Sequence, residues 1–220
     1  VNANGYKKVN SAVVGKLNKE KSGYDNLENI MCDCICVSGN WTPTVHLSSQ
    51  SGNKLKFDEK IDAFIPDQSR QSETTIGAAN GSFTLKQSLE DGFNKGYEIS
   101  NKITEKNIKI SIPTSNERSY TQHEKFWCMP LPKNKHFKRF VDFQNDVAVS
   151  DIELAVREGF RSIEHVKRYT TLGMATDQGK TSNLNGLQLV SNIQDKIVPE
   201  VGHTTFRPPY TPVTIGAIVG

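Results

Sequence analysis

The sequence predicts an α/β chain in which strands and glycine turns come first and short helices follow. Ile30–Val37 is a nearly continuous apolar run, typical of a buried strand in a parallel sheet. Residues 74–82 indicate a short strand that enters a glycine turn. A helix follows, because Leu85, Leu89 and Phe93 are spaced by four and share one face. Strand, glycine turn and helix together form the arrangement with which doubly wound folds present a helix N-terminus to a ligand.

Composition excludes several classes of protein. The 220 residues are 35% hydrophobic and 23% charged, which favours a folded core over bulk disorder. The net charge is only +3, and the basic residues are scattered among acids, so we expect no nucleic-acid partner. No apolar run approaches the roughly 20 residues that span a bilayer. We therefore expect neither a membrane segment nor a signal peptide.

Three of the four cysteines alternate along the first predicted buried strand. Alternate residues point to one face of a strand, so Cys32, Cys34 and Cys36 predict a row of small buried thiols. The alternative is a metal or cluster site, although structural zinc sites usually present Cys-x-x-Cys pairs on turns. With Cys128 as the fourth, the cysteines favour core packing in a reducing, cytoplasmic compartment.

Capping residues predict where the helices begin and end. Ser82 or Thr84 is expected to cap the first helix, and Ser150–Glu153 has the spacing of a capping box. The helix after that box should end at Gly159, and Ser162 should cap the next. A further helix is expected to carry three apolar residues on one face, namely Leu184, Leu187 and Val190.

The first candidate site is the turn Gly77–Gly81. The small side chains of Gly77, Ala78 and Gly81 allow a ligand close to the backbone, and Asn80 has an amide for a ribose or phosphate. The alternative is a plain strand-to-helix turn. A complete G-x-G-x-x-G fingerprint is absent from the sequence.

The second candidate site is the polar loop Gly173–Ser182. Its Gly179–Thr181 end imitates a phosphate-binding P-loop, but five residues rather than four separate the two glycines, and a helix rather than a strand precedes it. A basic, hydroxyl-rich loop that opens a helix is still a suitable anion site. The alternative is a solvated connection between two helices.

The histidines do not form a catalytic or metal-binding pattern. Their positions in the sequence match neither the order of a Ser-His-Asp catalytic triad nor the spacing of metal ligands, so a structural role is expected for each. They are His46, His123, His136, His165 and His203.

Several segments resemble the alpha subunit of heterotetrameric sarcosine oxidases. The long run Arg157–Asn183 is the most specific of them, and residues 104–136 are the least supported. The other similar segments are 38–47, 77–82, 141–147 and 205–212.

The resemblance implies the fold and the order of domains. Residues 1–104 would be the C-terminal part of a dinucleotide-binding domain of the FAD/NAD type, and 105–137 a connecting segment. Residues 138–197 would be a small helical domain similar to a two-iron ferredoxin-like domain without its cluster. Residues 198–220 would approach an aminomethyltransferase-like domain. Both chain ends look cut, so an internal fragment is expected.

The resemblance also implies cofactors and partners. Alpha subunits of this kind carry non-covalent NAD, and FAD in the beta subunit oxidises sarcosine. A covalent FMN at the alpha–beta interface passes electrons to oxygen, and tetrahydrofolate accepts the one-carbon unit. The partners would be the beta, gamma and delta subunits. The cofactor-binding residues in this chain would be Thr42, Gly77, Ala78, Asn80 and Gly81, with Arg168, Thr170, Thr171, Lys180, Thr181 and Ser182 toward the FMN phosphate.

At two places the sequence differs from related families in residues that would bind a cofactor. Related amino-acid dehydrogenases place cluster cysteines where this chain has Asp142–Asn145 and Ala175–Gln178, so an iron–sulfur cluster is not expected. Asn80 stands where flavin reductases usually have aspartate, which favours NAD over FAD.

Two alternatives remain: an assembly module that completes an FMN pocket, and the alpha subunit of another amine or imino-acid dehydrogenase.

Overall fold

A computed structural model describes residues 2–37, 39, 41–104, 111–116, 125–131 and 137–219. The chain divides into two compact units. The first comprises residues 1–40 and 128–139, and the second comprises residues 41–127 and 140–220. The expectations for His123 and His136 lie outside the described residues.

The first unit contains a three-stranded antiparallel sheet. Its strands are β1 (Asn2–Gly5), β2 (Val9–Leu17) and β3 (Tyr24–Met31), in the order β1-β2-β3. The turn between β2 and β3 is closed by the Asn18 side chain, whose oxygen accepts hydrogen bonds from the backbone N–H groups of Ser22 and Gly23. Asparagine stabilises tight turns in this way because its side chain imitates a backbone carbonyl.

The expectation of a buried parallel strand over Ile30–Val37 is wrong. Strand β3 runs antiparallel to β2 and ends at Met31, which is 75% exposed. Cys34 and Cys36 lie beyond it on the surface, so the expected row of buried thiols is also wrong. In a short, continuous apolar run the hydrophobic residues show no periodicity, so the sequence does not tell a buried strand from an exposed one. In this chain the pairing of β3 with β2 determines where the strand ends.

The second unit begins with a short helix and a hairpin. Helix α1 spans His46–Gln50, and strands β4 (Leu55–Asp58) and β5 (Ala63–Pro66) pair antiparallel. The rings of Phe57 and Phe64 face each other across the hairpin with centroids 5.3 Å apart. This cross-strand pair holds the register of the hairpin.

A glycine turn and a long helix follow. Gly77–Asn80 forms a single turn of 3-10 helix, and helix α2 spans Leu85–Thr104. The predicted strand before the turn is absent, since the described backbone preceding it pairs with no other strand. Thr84 is confirmed as the cap, because Thr84 Oγ1 accepts from Gln87 N–H at 3.1 Å while the Gln87 side chain accepts from Thr84 N–H.

The remainder of the second unit is mainly helical. Strands β6 (Phe140–Asp142) and β7 (Val147–Ala148) form a small hairpin. The helices are α3 (Val149–Arg157), α4 (Ile163–Thr170), α5 (Asn183–Gln194), α6 (Val198–Val201) and α7 (Ile215–Val219). The core between α3, α4 and α5 consists of residues at most 1% exposed, among them Ile152, Ile163, Val166, Leu172 and Val190.

The helix ends were predicted with mixed success. Gly159 is confirmed as the end of α3: its N–H bonds to Val156 O, and Phe160 N–H bonds to Ala155 O, the Schellman pattern. Ser162 occupies the N-cap position of α4 as expected, but its side chain makes no capping hydrogen bond. The capping box at Ser150 is wrong, because α3 starts earlier and Asp151 accepts from Ala148 N–H at 2.8 Å. None of the helices in the described ranges has the length and apolar character needed to cross a membrane.

Candidate functional site

A buried carboxylate organises the loop Gly173–Ser182. Asp142 is 2% exposed, and its Oδ2 accepts from Gly173 N–H at 2.7 Å and lies 3.4 Å from Ser182 Oγ. Its Oδ1 accepts from the N–H groups of Gln144 and Asn145 at 3.0 and 3.3 Å. One aspartate therefore fixes both the turn that follows β6 and the start and end of the loop.

Two further side chains of the β6–β7 turn reach the loop or the residue just before it. Gln144 Oε1 accepts from Thr176 Oγ1 at 3.0 Å, and Asn145 Nδ2 donates to Thr171 O at 2.9 Å. The segments Asp142–Asn145 and Ala175–Gln178 are thus neighbours in space. They are the two segments in which related dehydrogenases are expected to carry cysteines.

The loop already surrounds an anion of its own. Asp177 accepts from Gly179 N–H at 3.0 Å, from Thr181 N–H at 3.3 Å and from Thr181 Oγ1 at 2.8 Å. Partial burial opposes ionisation of Asp177, but these hydrogen bonds outweigh it and hold its pKa below the ordinary value. The loop therefore has the donor geometry of an anion site, and its own carboxylate occupies it.

Lys180 extends from the loop to the C-terminal segment of the second unit. Its Nζ donates to Tyr210 O at 2.6 Å and to Asp177 O at 3.3 Å, and lies 4.3 Å from the centre of the Tyr210 ring. Two of its three donors are therefore engaged, and the ring faces the ammonium in a cation–π contact.

The other residues predicted to bind the FMN phosphate make contacts of their own, in the loop or in the helix before it. Arg168 is largely exposed and pairs with Glu164 at 3.6 Å. The hydroxyls of Thr170 and Thr171 bond to nearby backbone carbonyls of α4. Ser182 is 0% exposed and precedes α5.

Two glycines of the loop enclose the side chain of Asn183. Gly173 and Gly179 have φ of +66° and +71°, and a Cβ on either would overlap the Asn183 carboxamide. Glycine is required at both positions for this close approach as well as for the backbone conformation. The carboxamide is thereby packed against the backbone of the loop.

His46, in helix α1, also contacts the loop Gly173–Ser182. It is 4% exposed, its Nε2 lies 2.8 Å from Gln178 O, and its ring packs against that of Phe206 with centroids 3.8 Å apart and a tilt of 34°. Burial lowers its pKa, with Lys180 and Lys167 contributing, so the imidazole is neutral and carries its proton on Nε2.

A cavity of about 60 Å³ lies next to these residues within the second unit. Of the residues predicted for cofactor binding, it brings together Thr42 and Lys180, which contribute to its wall along with His46 and Asn183. No residue of the turn Gly77–Gly81 lines this cavity. The turn packs against the β4–β5 hairpin, because a Cβ on Gly81, where φ is +89°, would stand 2.8 Å from Ile61 Cδ1 and 3.5 Å from Ile65 Cγ2.

Sequence reasoning missed Asp142, Asp177, His46 and Asn183. Asp177 was detectable, since aspartate before a glycine-rich turn often accepts from the N–H groups that follow it. Asp142 and His46 act on chain segments distant in sequence, and no local pattern indicates such contacts. Asn183 packs against Gly173 and Gly179 in the preceding loop, and this contact depends on how the loop folds. Among the described residues, no group of three or more His, Cys, Asp or Glu is placed to hold a metal ion.

The fold is shared with a known dehydrogenase. The structure of L-proline dehydrogenase from P. horikoshii aligns with 99% of this chain and 43% of its own, with a TM-score of 0.57 and 18% identity. This likeness shows that the chain shares its α/β fold with that dehydrogenase.

Sequence comparison gives the family. Residues 136–220 match the sarcosine oxidase A3 domain. Sarcosine oxidase subunit alpha of Rhizobium meliloti (strain 1021) is 37% identical over 88% of this chain, and that of Corynebacterium sp. (strain P-1) is 31% identical over 99%. The chain belongs to the sarcosine oxidase alpha-subunit family. It spans 19% and 23% of the length of these two relatives.

Proposed function

We propose that this chain acts as part of the alpha subunit of a flavin-dependent sarcosine oxidase. The complete complex, with beta, gamma and delta subunits in the cytoplasm, would demethylate sarcosine to glycine. Hydrogen peroxide and either formaldehyde or methylenetetrahydrofolate would be the other products. The observation that carries the proposal is the similarity to named alpha subunits, at 31–37% identity over 88–99% of the chain.

The turn Gly77–Gly81 is proposed to contact NAD. Its support is local: Gly77 and Gly81 have φ of +66° and +89°, and the turn is followed by the N-terminus of the 20-residue helix α2. Backbone N–H groups near a helix N-terminus attract phosphate. Asn80, at the end of the turn, would supply an amide to the ribose or pyrophosphate.

The loop from Thr170 to Ser182 is proposed to meet the FMN phosphate, with Arg168, Thr170 and Thr171 completing the cradle. Its support is the donor set around Asp177, which already binds one carboxylate, together with the Lys180 ammonium. Flavin phosphate would compete with Asp177 for the N–H groups and with Tyr210 for Lys180. When bound, FMN would supply electron transfer to oxygen, and the residues of this chain would only hold and orient it.

The helical part, residues 138–197, is proposed to resemble a two-iron ferredoxin-like domain that lacks its cluster. Support comes from Gln144, whose Oε1 accepts from Thr176 Oγ1 and Asp177 N–H and so joins the two segments where cluster cysteines would stand. By the same proposal, residues 1–104 are the C-terminal part of a dinucleotide-binding domain and 105–137 a connecting segment. Residues 198–220 lead toward an aminomethyltransferase-like domain. FAD and tetrahydrofolate would bind to other parts of the complex.

A second candidate is a non-catalytic assembly module that completes the FMN pocket. It is favoured by the side-chain contacts of the loop, which are structural. In the described part of the chain, the hydroxyls of Thr176, Thr181 and Ser182 bond to neighbouring side chains, and Lys180 bonds to Tyr210 O. The alpha subunit of another amine or imino-acid dehydrogenase remains a third possibility.

The purified chain should produce no hydrogen peroxide from sarcosine, whereas the complete complex should produce it. The reason is that substrate oxidation is assigned to FAD in the beta subunit. Peroxide formation by the chain alone, dependent on sarcosine, would overturn this division of roles. No peroxide from the complete complex would overturn the oxidase function itself.

A further inference from the structure

Cationic side chains collect where the segment after α6 runs past helix α4. Glu164 Oε1 accepts from Thr205 N–H at 2.5 Å, and its Oε2 lies 3.6 Å from the Arg168 guanidinium. Lys167 lies one turn further along α4 than Glu164, and Arg207 follows Thr205 by two residues. The contact between the two elements therefore brings three cations to one carboxylate.

Lys167 carries a charge that the protein compensates poorly. It is partly buried, and burial lowers its pKa. The Glu164 carboxylate opposes this shift, but the positive charges of Arg207 and Arg168 add to it. Among the described residues, neither Lys167 nor Arg207 forms an ion pair, and Glu164 is shared between Arg168 and a backbone N–H. An anion placed between Lys167 and Arg207 would relieve the repulsion.

Both cations extend from packed elements of the second unit. Phe206, next to Arg207, packs against the buried ring of His46 with centroids 3.8 Å apart. The positive charge of Lys167 contributes to the lowered pKa of His46, so its ammonium also acts near that ring. The backbone that carries each cation is therefore held by the fold.

The nearby lysine of the loop is already engaged. Lys180 Nζ donates to Tyr210 O and to Asp177 O. An anion that approaches this side of the loop thus meets Lys167 and Arg207 as cations that no carboxylate pairs with.

Two adjacent cations favour a dianion over a monoanion. A phosphate monoester has a charge of about −1.5 to −2 near pH 7, whereas a carboxylate has a single charge. The guanidinium of Arg207 can donate two parallel hydrogen bonds to phosphate oxygens, and the ammonium of Lys167 supplies a compact charge to a third. A phosphate group therefore matches this pair of side chains better than a carboxylate.

We propose that Lys167 and Arg207 bind the phosphate group of a monoester between α4 and the segment Thr205–Arg207. Free phosphate and flavin phosphate share this chemistry. The inference rests on the proposed flavin function only where FMN is named as the ester, since the two cations define a phosphate site without it.

Titration of the unmodified chain with methyl phosphate tests the proposal. The NMR signals of Lys167 Cε and Arg207 Nε are followed at pH 7.5 and constant ionic strength, with acetate as the monoanionic control. Methyl phosphate should shift both signals saturably and bind about tenfold more tightly than acetate, because it forms a second charged hydrogen bond. No saturable shift with methyl phosphate, or equally tight binding of acetate, overturns the proposal.

Matched variants locate the contact. Lys167→Met keeps the apolar stem of the side chain, and Arg207→Gln keeps a polar group; each should weaken methyl phosphate binding about tenfold. Lys196→Met and Arg157→Gln, at exposed cations elsewhere in the unit, should leave it unchanged. Unchanged affinity in Lys167→Met or in Arg207→Gln overturns the assignment. If either variant does not fold, the titration of the native chain still decides.

FMN and riboflavin distinguish the source of the phosphate. Saturable shifts of the same two signals with FMN, and none with riboflavin, assign flavin phosphate to the site. Binding of methyl phosphate without binding of FMN keeps the phosphate site and excludes flavin phosphate as its ester. The flavin proposal is tested separately by the FMN content of the complete complex.

Discussion

Asp142 Oδ2 accepts a hydrogen bond of 2.7 Å from the backbone N–H of Gly173, 31 residues further along the chain. The same carboxylate accepts from Gln144 and Asn145, and no cation is among these hydrogen-bond donors. Backbone N–H groups thus stabilise a charge that is 2% exposed. The loop Gly173–Ser182 owes its position largely to this residue.

Asp142→Ala should destabilise the chain by about 3 kcal/mol, because it leaves the buried N–H of Gly173 and the partly buried N–H groups of Gln144 and Asn145 without an acceptor. Urea unfolding followed by circular dichroism measures the change. Glu158→Ala, at an exposed position, serves as control and should stay within about 0.5 kcal/mol. A loss at Asp142 no larger than in the control would show that the carboxylate does not hold the loop.

Gly179→Ala should be more damaging than Gly159→Ala, although both glycines have positive φ. The values are +71° and +96°, but a Cβ on Gly159 meets open space, whereas one on Gly179 overlaps the Asn183 carboxamide. The backbone term alone costs about 1 kcal/mol, and the overlap should add about 1–3 kcal/mol. The measurement is the free energy of unfolding of each variant. Equal losses would contradict the close packing against Asn183.

His46 should make the stability depend on pH below neutrality. Its pKa in the folded chain is lowered by burial and by Lys180 and Lys167, with Asp177 acting in the opposite sense. The unfolded chain therefore binds the proton more readily. Stability from neutral His46 is complete above about pH 6.5 and is lost as the pH falls through the lower folded pKa.

Urea unfolding at pH 7.5 and pH 5 measures this effect. His46→Phe keeps an aromatic ring beside Phe206 but cannot be protonated, so its stability should fall less between the two pH values. An equal fall in both proteins would contradict the assignment. So would an NMR titration that gives His46 a pKa at or above 6.5, its ordinary value.

Asn80→Leu should lower the NAD content of the full-length alpha subunit in its complex. The change removes a polar partner, and a loss of about 1–3 kcal/mol in binding is expected. NAD is released by denaturation and measured per subunit. Normal NAD content in the variant would exclude Asn80 as a ligand.

Local signals in the sequence predicted several helix ends correctly. Gly159 marks the end of α3 because only a residue that tolerates a left-handed backbone completes the Schellman pattern. Leu187 and Val190 were expected on the buried face of α5, and they are 4% and 0% exposed. Helix ends and buried helix faces depend on a few residues that are close in sequence, so they can be predicted from the sequence.

Features that depend on distant partners were not predictable in this way. The apolar run Ile30–Val37 has no clear period, and the antiparallel pairing of β3 with β2 ends it at Met31. The contact of His46 with Gln178 joins residues 132 positions apart. Lys180 was expected to lie open to an anion, but the approach of Tyr210 engages it.

The FMN content of a Lys180→Glu complex tests the central claim of this account most directly. The variant reverses the charge at the loop proposed to meet the flavin phosphate. A loss of about 1.5–3 kcal/mol is expected from the lost charged hydrogen bond, with added repulsion that salt partly screens. FMN content or alpha–beta association should fall while FAD in the beta subunit stays normal, and Lys196→Glu, at an exposed lysine, should change neither. Normal FMN content and normal subunit association in Lys180→Glu would contradict the claim.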